Sequence, residues 1–194
     1  MNFADPFPFD PLPAGWYHRT FWTRKAASFT FATQVGVPAL RCETQSSASM
    51  LFRHADIDLV TYPILEWRWF IEKPIVSEVD ERTREGDDHP ARLFITFIAA
   101  NGEERNIEII WGNQLLKSGD YKYIDTFPHY VANGGADNVG QWHRERIDLL
   151  AIYRHLWPGT GAARVVDIAI FCDSDDTATA SIAYFADIRM QRIR

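Results

Sequence analysis

The sequence is poor in the groups from which most catalytic centres are made. It holds two cysteines, Cys42 and Cys172, far apart and each inside a probable strand. That is too few for a disulfide framework or a thiolate zinc site. Two buried reduced thiols are expected, with a bridge between them as the alternative. The six histidines, His18, His54, His89, His129, His143 and His155, include no pair at metal-ligand spacing, which argues against zinc. There is no Gly-x-Ser-x-Gly elbow, phosphate-binding glycine loop or dinucleotide fingerprint. Serine-nucleophile and nucleotide chemistry therefore lack support, and no organic cofactor is expected. No segment gathers lysine and arginine into a stripe and the formal net charge is −6, so nucleic acid is a poor partner. No apolar run approaches a membrane span. The first fifteen residues lack the basic and apolar regions of a secretory signal, which points to the cytoplasm, or to the periplasm or outside if a leader was removed.

What the chain does have is aromatic side chains, 13 Phe, 7 Tyr and 7 Trp in 194 residues. Sheet cores consume such rings, and sugars and aromatic ligands stack on them. The length suits one large domain with a core that needs no staples. Pro6, Pro8, Pro11 and Pro13 keep residues 1–15 out of ladders and helices, so this segment reads as an extended arm over a domain of residues 16–194. The clearest local signal is Leu65-Glu66-Trp67-Arg68-Trp69-Phe70-Ile71. Leu65, Trp67, Trp69 and Ile71 fall on one face of a central strand, and Glu66, Arg68 and Phe70 on the other.

Further strands are expected near 16–20, 28–35, 38–43, 48–54, 91–98, 106–111, 130–132, 142–148, 164–174 and 179–189. One helix is predicted over 149–156, capped by Asp148 and stopped by Pro158-Gly159. Many short strands with one helix predict an all-β fold, a two-sheet antiparallel β-sandwich. Two long loops, 72–90 and 112–129, could wall a cleft.

Several segments, in order, resemble the bacterial domain-of-unknown-function family 3047. They are Leu12-Pro13-Ala14-Gly15-Trp16, Leu65-Glu66-Trp67-Arg68-Trp69, Gly86-Asp87-Asp88-His89-Pro90-Ala91-Arg92, Trp111-Gly112-Asn113, Gly140-Gln141-Trp142, and Asp173-Ser174-Asp175-Asp176-Thr177 followed by Ala183-Tyr184-Phe185-Ala186-Asp187-Ile188. The resemblance spans nearly the whole chain. It implies a jelly-roll sandwich similar to carbohydrate-binding modules, with no established reaction and with members that often look exported. The last strand also resembles that of such modules, where the acid corresponding to Asp187 can ligate structural calcium.

Asp173, Asp175 and Asp176 crowd one turn, so Asp173, Asp175 and Asp187 are the candidate calcium ligands; a solvated turn is the plainer alternative. For a ligand, Glu66, Arg68, Arg92 and Tyr184 are expected to share one sheet face, with Asp87 and Asp88 on the flanking loop and Trp111 adding apolar contact. The expected function is binding of a saccharide or other small polar or anionic molecule there. The rival is a lyase or hydrolase with Tyr184, His89 or Glu66 moving protons and Arg68 or Arg92 stabilising an anion. A third reading is a structural protein whose aromatic face is an interface, in a homo-oligomer for example.

Overall fold

The computed structural model describes residues 1–193. Twelve strands and one helix follow in order: β1 (Trp16–Thr20), β2 (Ser28–Gln34), β3 (Val37–Gln45), β4 (Ala48–Asp58), β5 (Ile64–Lys73), β6 (Arg92–Ala99), β7 (Glu104–Gly112), β8 (Tyr121–Ile124), β9 (Phe127–Gly134), β10 (Trp142–Asp148), α1 (Leu149–Leu156), β11 (Ala163–Asp173) and β12 (Ala180–Gln191). They form a seven-stranded sheet, β1-β4-β11-β6-β7-β9-β8, packed on a five-stranded sheet, β10-β5-β12-β3-β2. This is the expected jelly-roll sandwich, antiparallel except where β9 lies parallel to β7. The additional strand β8 falls inside the second expected loop and pairs with β9 as a hairpin.

The core is built by alternation. Leu65, Trp67, Trp69 and Ile71 of β5 are at most 1% exposed and meet Leu93, Ile95 and Phe97 of β6 and Ile107, Ile109 and Trp111 of β7 between the sheets. Trp69 packs edge-on against both Trp67 and Trp111. Helix α1 begins where Asp148 accepts a hydrogen bond from the Ala151 amide (2.9 Å), an N-cap of the expected kind. The proline-rich arm is pinned by its rings, with Phe3 buried in the main core and Phe7 and Phe9 against Phe31.

Two expectations are corrected here. Cys42 of β3 and Cys172 of β11 are not reduced thiols but a disulfide that ties one sheet to the other through the core. Both residues point inward from facing strands, which is what brings their sulfurs together. Trp111 is not a ligand contact: strand alternation turns it inward and it is 1% exposed.

Candidate functional site

The sequence-derived constellation divides between opposite faces of the molecule. Glu66, Arg68 and Tyr184 lie on the outer face of the five-stranded sheet, whereas Arg92 lies on the outer face of the seven-stranded one. Alternation is right in both strands; what it cannot tell is which sheet each strand joins.

On the five-stranded sheet each residue finds a protein partner. Glu66 takes Arg189 (2.8 Å), Arg146 (3.3 Å) and Gln191 (2.7 Å), and the Arg189 hydrogen bond leads the effects that lower its pKa. Arg68 pairs with Asp187 and lies over the Trp142 ring. Tyr184 donates to Glu72 (2.6 Å).

On the seven-stranded sheet the pairing registers place Tyr17, Phe52, Ala169, Phe94, Glu108, His129 and Lys122 in one row across seven strands. The row is aromatic at one end and ionic at the other. At its aromatic end Tyr17 stacks on buried Phe52 (4.5 Å between centroids), Phe94 abuts Phe52, and Phe127 stacks on Phe94. Tyr17, Phe94 and Phe127 remain half-buried. Beside them a His54–Asp167 pair (2.6 Å) supplies polar groups. One row along, a cavity of about 240 Å³ is lined by Phe21, Phe171, Arg24, Asp173 and Asp175, among others.

The ionic end is sealed by the 74–91 segment. Arg92, 1% exposed, reaches Glu108 (2.6 Å), both oxygens of Asp173 (2.6 and 2.5 Å) and the Asp87 carbonyl, and lies over the Phe171 ring. Lys122 donates to Asp87 (2.5 Å), to the Glu81 carbonyl (2.7 Å) and to His89 Nε2 (2.8 Å). Because Lys122 has only donors to offer, His89 Nε2 must accept, and its Nδ1–H donates to the Trp111 carbonyl (2.8 Å). His89 is thus neutral, in line with burial and the Lys122 and Arg92 charges, which push its pKa well below 6.5. His129 is the opposite case: burial works against its charge, but Asp87 and Glu108 raise its pKa. Its Nε2 faces Glu108 at 3.3 Å and Asp87 at 3.6 Å. Burial likewise opposes the charges on Asp87 and Glu108, yet Arg92 and His129 hold both carboxyls below their ordinary values.

The two long loops interlock. Glu81, 3% exposed, accepts from the backbone amides of Asn113 (2.5 Å), Gln114 (2.8 Å), Leu115 and Leu116 (2.9 Å), a nest of donors around one carboxylate. Gly86 makes this tight path possible, since a Cβ there would lie 2.2 Å from the Asp80 carbonyl oxygen. Asp88, fully buried, turns away from Asp87 to accept from the Thr177 amide (2.6 Å) and hydroxyl (2.5 Å). Neither aspartate faces a cleft.

Of the three calcium candidates the structure gathers two. Asp173 and Asp175 converge with Asp88, offering oxygens within 4.8 Å of one another, while Asp187 is on the other sheet with Arg68. Calcium wants six to eight oxygens. Here Arg92 holds Asp173, Arg24 holds Asp175 (2.8 Å) and Thr177 holds Asp88, so the donor set fits a cation poorly.

Lys122, His129, Glu108 and Glu81 were missed in the sequence. Glu108 alone carried a signal, an acid between Ile107 and Ile109 in an alternating strand.

Among solved structures, the chain superposes on the family 30 carbohydrate-binding module of a cellulosomal cellulase of Clostridium thermocellum with a TM-score of 0.52, at 11% identity over 93% of each chain. A family 11 module of another cellulosomal cellulase of that organism gives 0.44 at 10% identity, over 93% of this chain and 89% of that one. The xyloglucanase domain of NopAA, a type three effector from Sinorhizobium fredii, gives 0.47 at 9% identity, over 94% and 96%. At 11% identity the likeness to the family 30 module is one of fold. No curated protein matches the chain. The family model described as "Protein of unknown function (DUF3047)" matches residues 14–189, nearly the whole sandwich, and the chain belongs to that family.

Proposed function

We propose that the protein binds a saccharide across the outer face of its seven-stranded sheet. The observation that carries this reading is the half-open aromatic end of the transverse row, Tyr17 on Phe52 with Phe94 beside them. Rings packed on one side and open on the other offer an apolar surface for the C–H face of a sugar. The His54–Asp167 pair and the Arg24 and Asp175 walls of the neighbouring cavity offer donors and acceptors for its hydroxyls. The fold shared with a family 30 carbohydrate-binding module supports the same class of ligand. Binding is favoured over lyase or hydrolase chemistry because the convergent titratable groups lie under the 74–91 segment, where His89, Arg92 and His129 are at most 1% exposed. The Cys42–Cys172 disulfide supports an oxidising compartment in place of the cytoplasm.

Affinity electrophoresis against a panel of neutral polysaccharides tests this. At least one is expected to retard the protein. Tyr17→Ala and Phe94→Ala should each weaken that binding about threefold to tenfold with little change in melting temperature, while Trp142→Ala on the opposite face should leave it intact. Absence of retardation by every polysaccharide, or full affinity in both ring variants, would overturn the proposal.

A further inference from the structure

At one end of the outer face of the five-stranded sheet, guanidinium groups gather around a single carboxylate, Glu66. The register places Arg146 and Arg189 on either side of Glu66, and Arg144 directly opposite Arg68. Like charges facing one another across a ladder destabilise it. Beside them opens a cavity of about 280 Å³ lined by Arg144, Arg146, Arg189, Arg192, Gln191 and Glu66. Four arginines meet one carboxylate, in a protein whose net charge is −6.

Glu66 is already saturated. One of its oxygens accepts from Arg189 and Gln191 and the other faces Arg146. Among the described residues Arg144 has no ion-pair partner, and Arg192 has only the Tyr62 ring, 5.3 Å away. Two planar donor forks on the lining of a concave surface thus lack an ion-pair partner among the described residues. Guanidinium forks match the oxygens of phosphate and sulfate groups bidentately.

We propose that this cavity is a binding site for a multiply charged oxyanion of the phosphate or sulfate-ester class, held by Arg144 and Arg192 with Arg146 and Arg189 as supporting charges. Glu66 then acts as the fixed counter-charge that keeps Arg146 and Arg189 in place. The cavity is at the small end of ligand pockets, which suits the charged group and a limited part of what bears it. The site lies on the opposite sheet from the aromatic row and does not depend on saccharide binding there.

Thermal melting and calorimetric titration with sodium phosphate and sodium sulfate, each against sodium chloride at equal ionic strength, provide the test. Phosphate or sulfate is expected to raise the melting temperature beyond the chloride control. The double variant Arg144→Gln/Arg192→Gln should melt like the parent in chloride yet lose that increment, with affinity for the better anion falling at least about tenfold. A sugar phosphate and a sugar sulfate, used as competitors, identify which ester the site prefers. Tyr17→Ala should keep the whole anion effect, so the two proposals fail separately. If neither anion exceeds chloride, the arginines are merely a solvated surface and the proposal is wrong. Retention of the increment by the double variant would equally overturn it.

Discussion

Replacing Arg92 with Met should destabilise the fold in a strongly pH-dependent way. Arg92 Nη2 contacts both oxygens of Asp173 and the His89 amide adds a third donor at 3.1 Å. A guanidinium donor at both oxygens favours the ionised form of the carboxyl. Burial holds the Asp173 pKa well above its ordinary value, Asp88, Asp87 and Glu108 add to the push, and Arg92 is the cation opposing it. Met fills much the same volume without the charge, leaving Asp173, 6% exposed, to take up a proton. Drawing that proton from solution at pH 7, for a carboxyl whose ordinary pKa is 3.8, costs about 4 kcal/mol. This agrees with the 3–5 kcal/mol typical of removing one partner from a buried ion pair. Glu108 keeps His129 at 3.3 Å.

The sign follows from proton counting. In the variant Asp173 holds a proton when folded and loses it on unfolding at any pH above its ordinary pKa, so stability falls as pH rises, by about 1.4 kcal/mol per unit. The deficit relative to the parent should therefore shrink between pH 7 and pH 5, by at most about 3 kcal/mol. Urea unfolding followed by tryptophan fluorescence at pH 5, 6 and 7 measures it. Arg92→Met/Asp173→Asn, which removes the stranded acid, should recover most of the loss and serves if the single variant does not fold. A deficit below about 1 kcal/mol, or one constant across this pH range, would refute the view that Arg92 is there to neutralise Asp173.

The disulfide can be tested apart from that network. Unfolded without reductant, the chain should show no free thiol, and Cys42→Ser/Cys172→Ser should lose about 5 kcal/mol by the loop-entropy model for a sequence separation of 130; two titratable thiols would contradict the bond. Millimolar calcium should leave the melting temperature unchanged, since Arg92 and Arg24 already neutralise Asp173 and Asp175; a stabilisation reversed by chelator would contradict that.

Strand and helix identity were legible wherever one periodicity held without interruption. β5 reads directly, because Leu65, Trp67, Trp69 and Ile71 alternate with Glu66, Arg68 and Phe70, and α1 reads directly because Asp148 can cap it and Pro158-Gly159 can end it. β8 was not legible: Tyr121–Ile124 is four residues long and its register comes from the hairpin with β9. The site was half legible for a related reason. Alternation says that Arg92 and Glu66 point away from the core, but the sheet each strand enters is decided by contacts far along the chain, β6 with β11 and β7, β5 with β10 and β12. The disulfide is the same lesson, since nothing local to Cys42 indicates that β3 faces β11 across the core.

The distribution of charge over the sandwich bears on whether it is an enzyme. A general acid or base must reach its substrate and hold a pKa near the working pH. Asp87 and Glu108 are held below their ordinary range, so neither stores a proton at neutral pH. Neutral His89 spends both ring nitrogens on Lys122 and the Trp111 carbonyl. His129, whose pKa is raised, lies fully buried against Phe127. Each group is therefore in a state suited to cancelling its neighbour's charge and unsuited to proton transfer. The consequence is mechanical: a long loop is fixed to the sheet by charge pairs, while Tyr17 and Phe94 in the aromatic half of the same row stay half-open. A preformed surface loses little conformational entropy on binding, which is the property a saccharide platform needs.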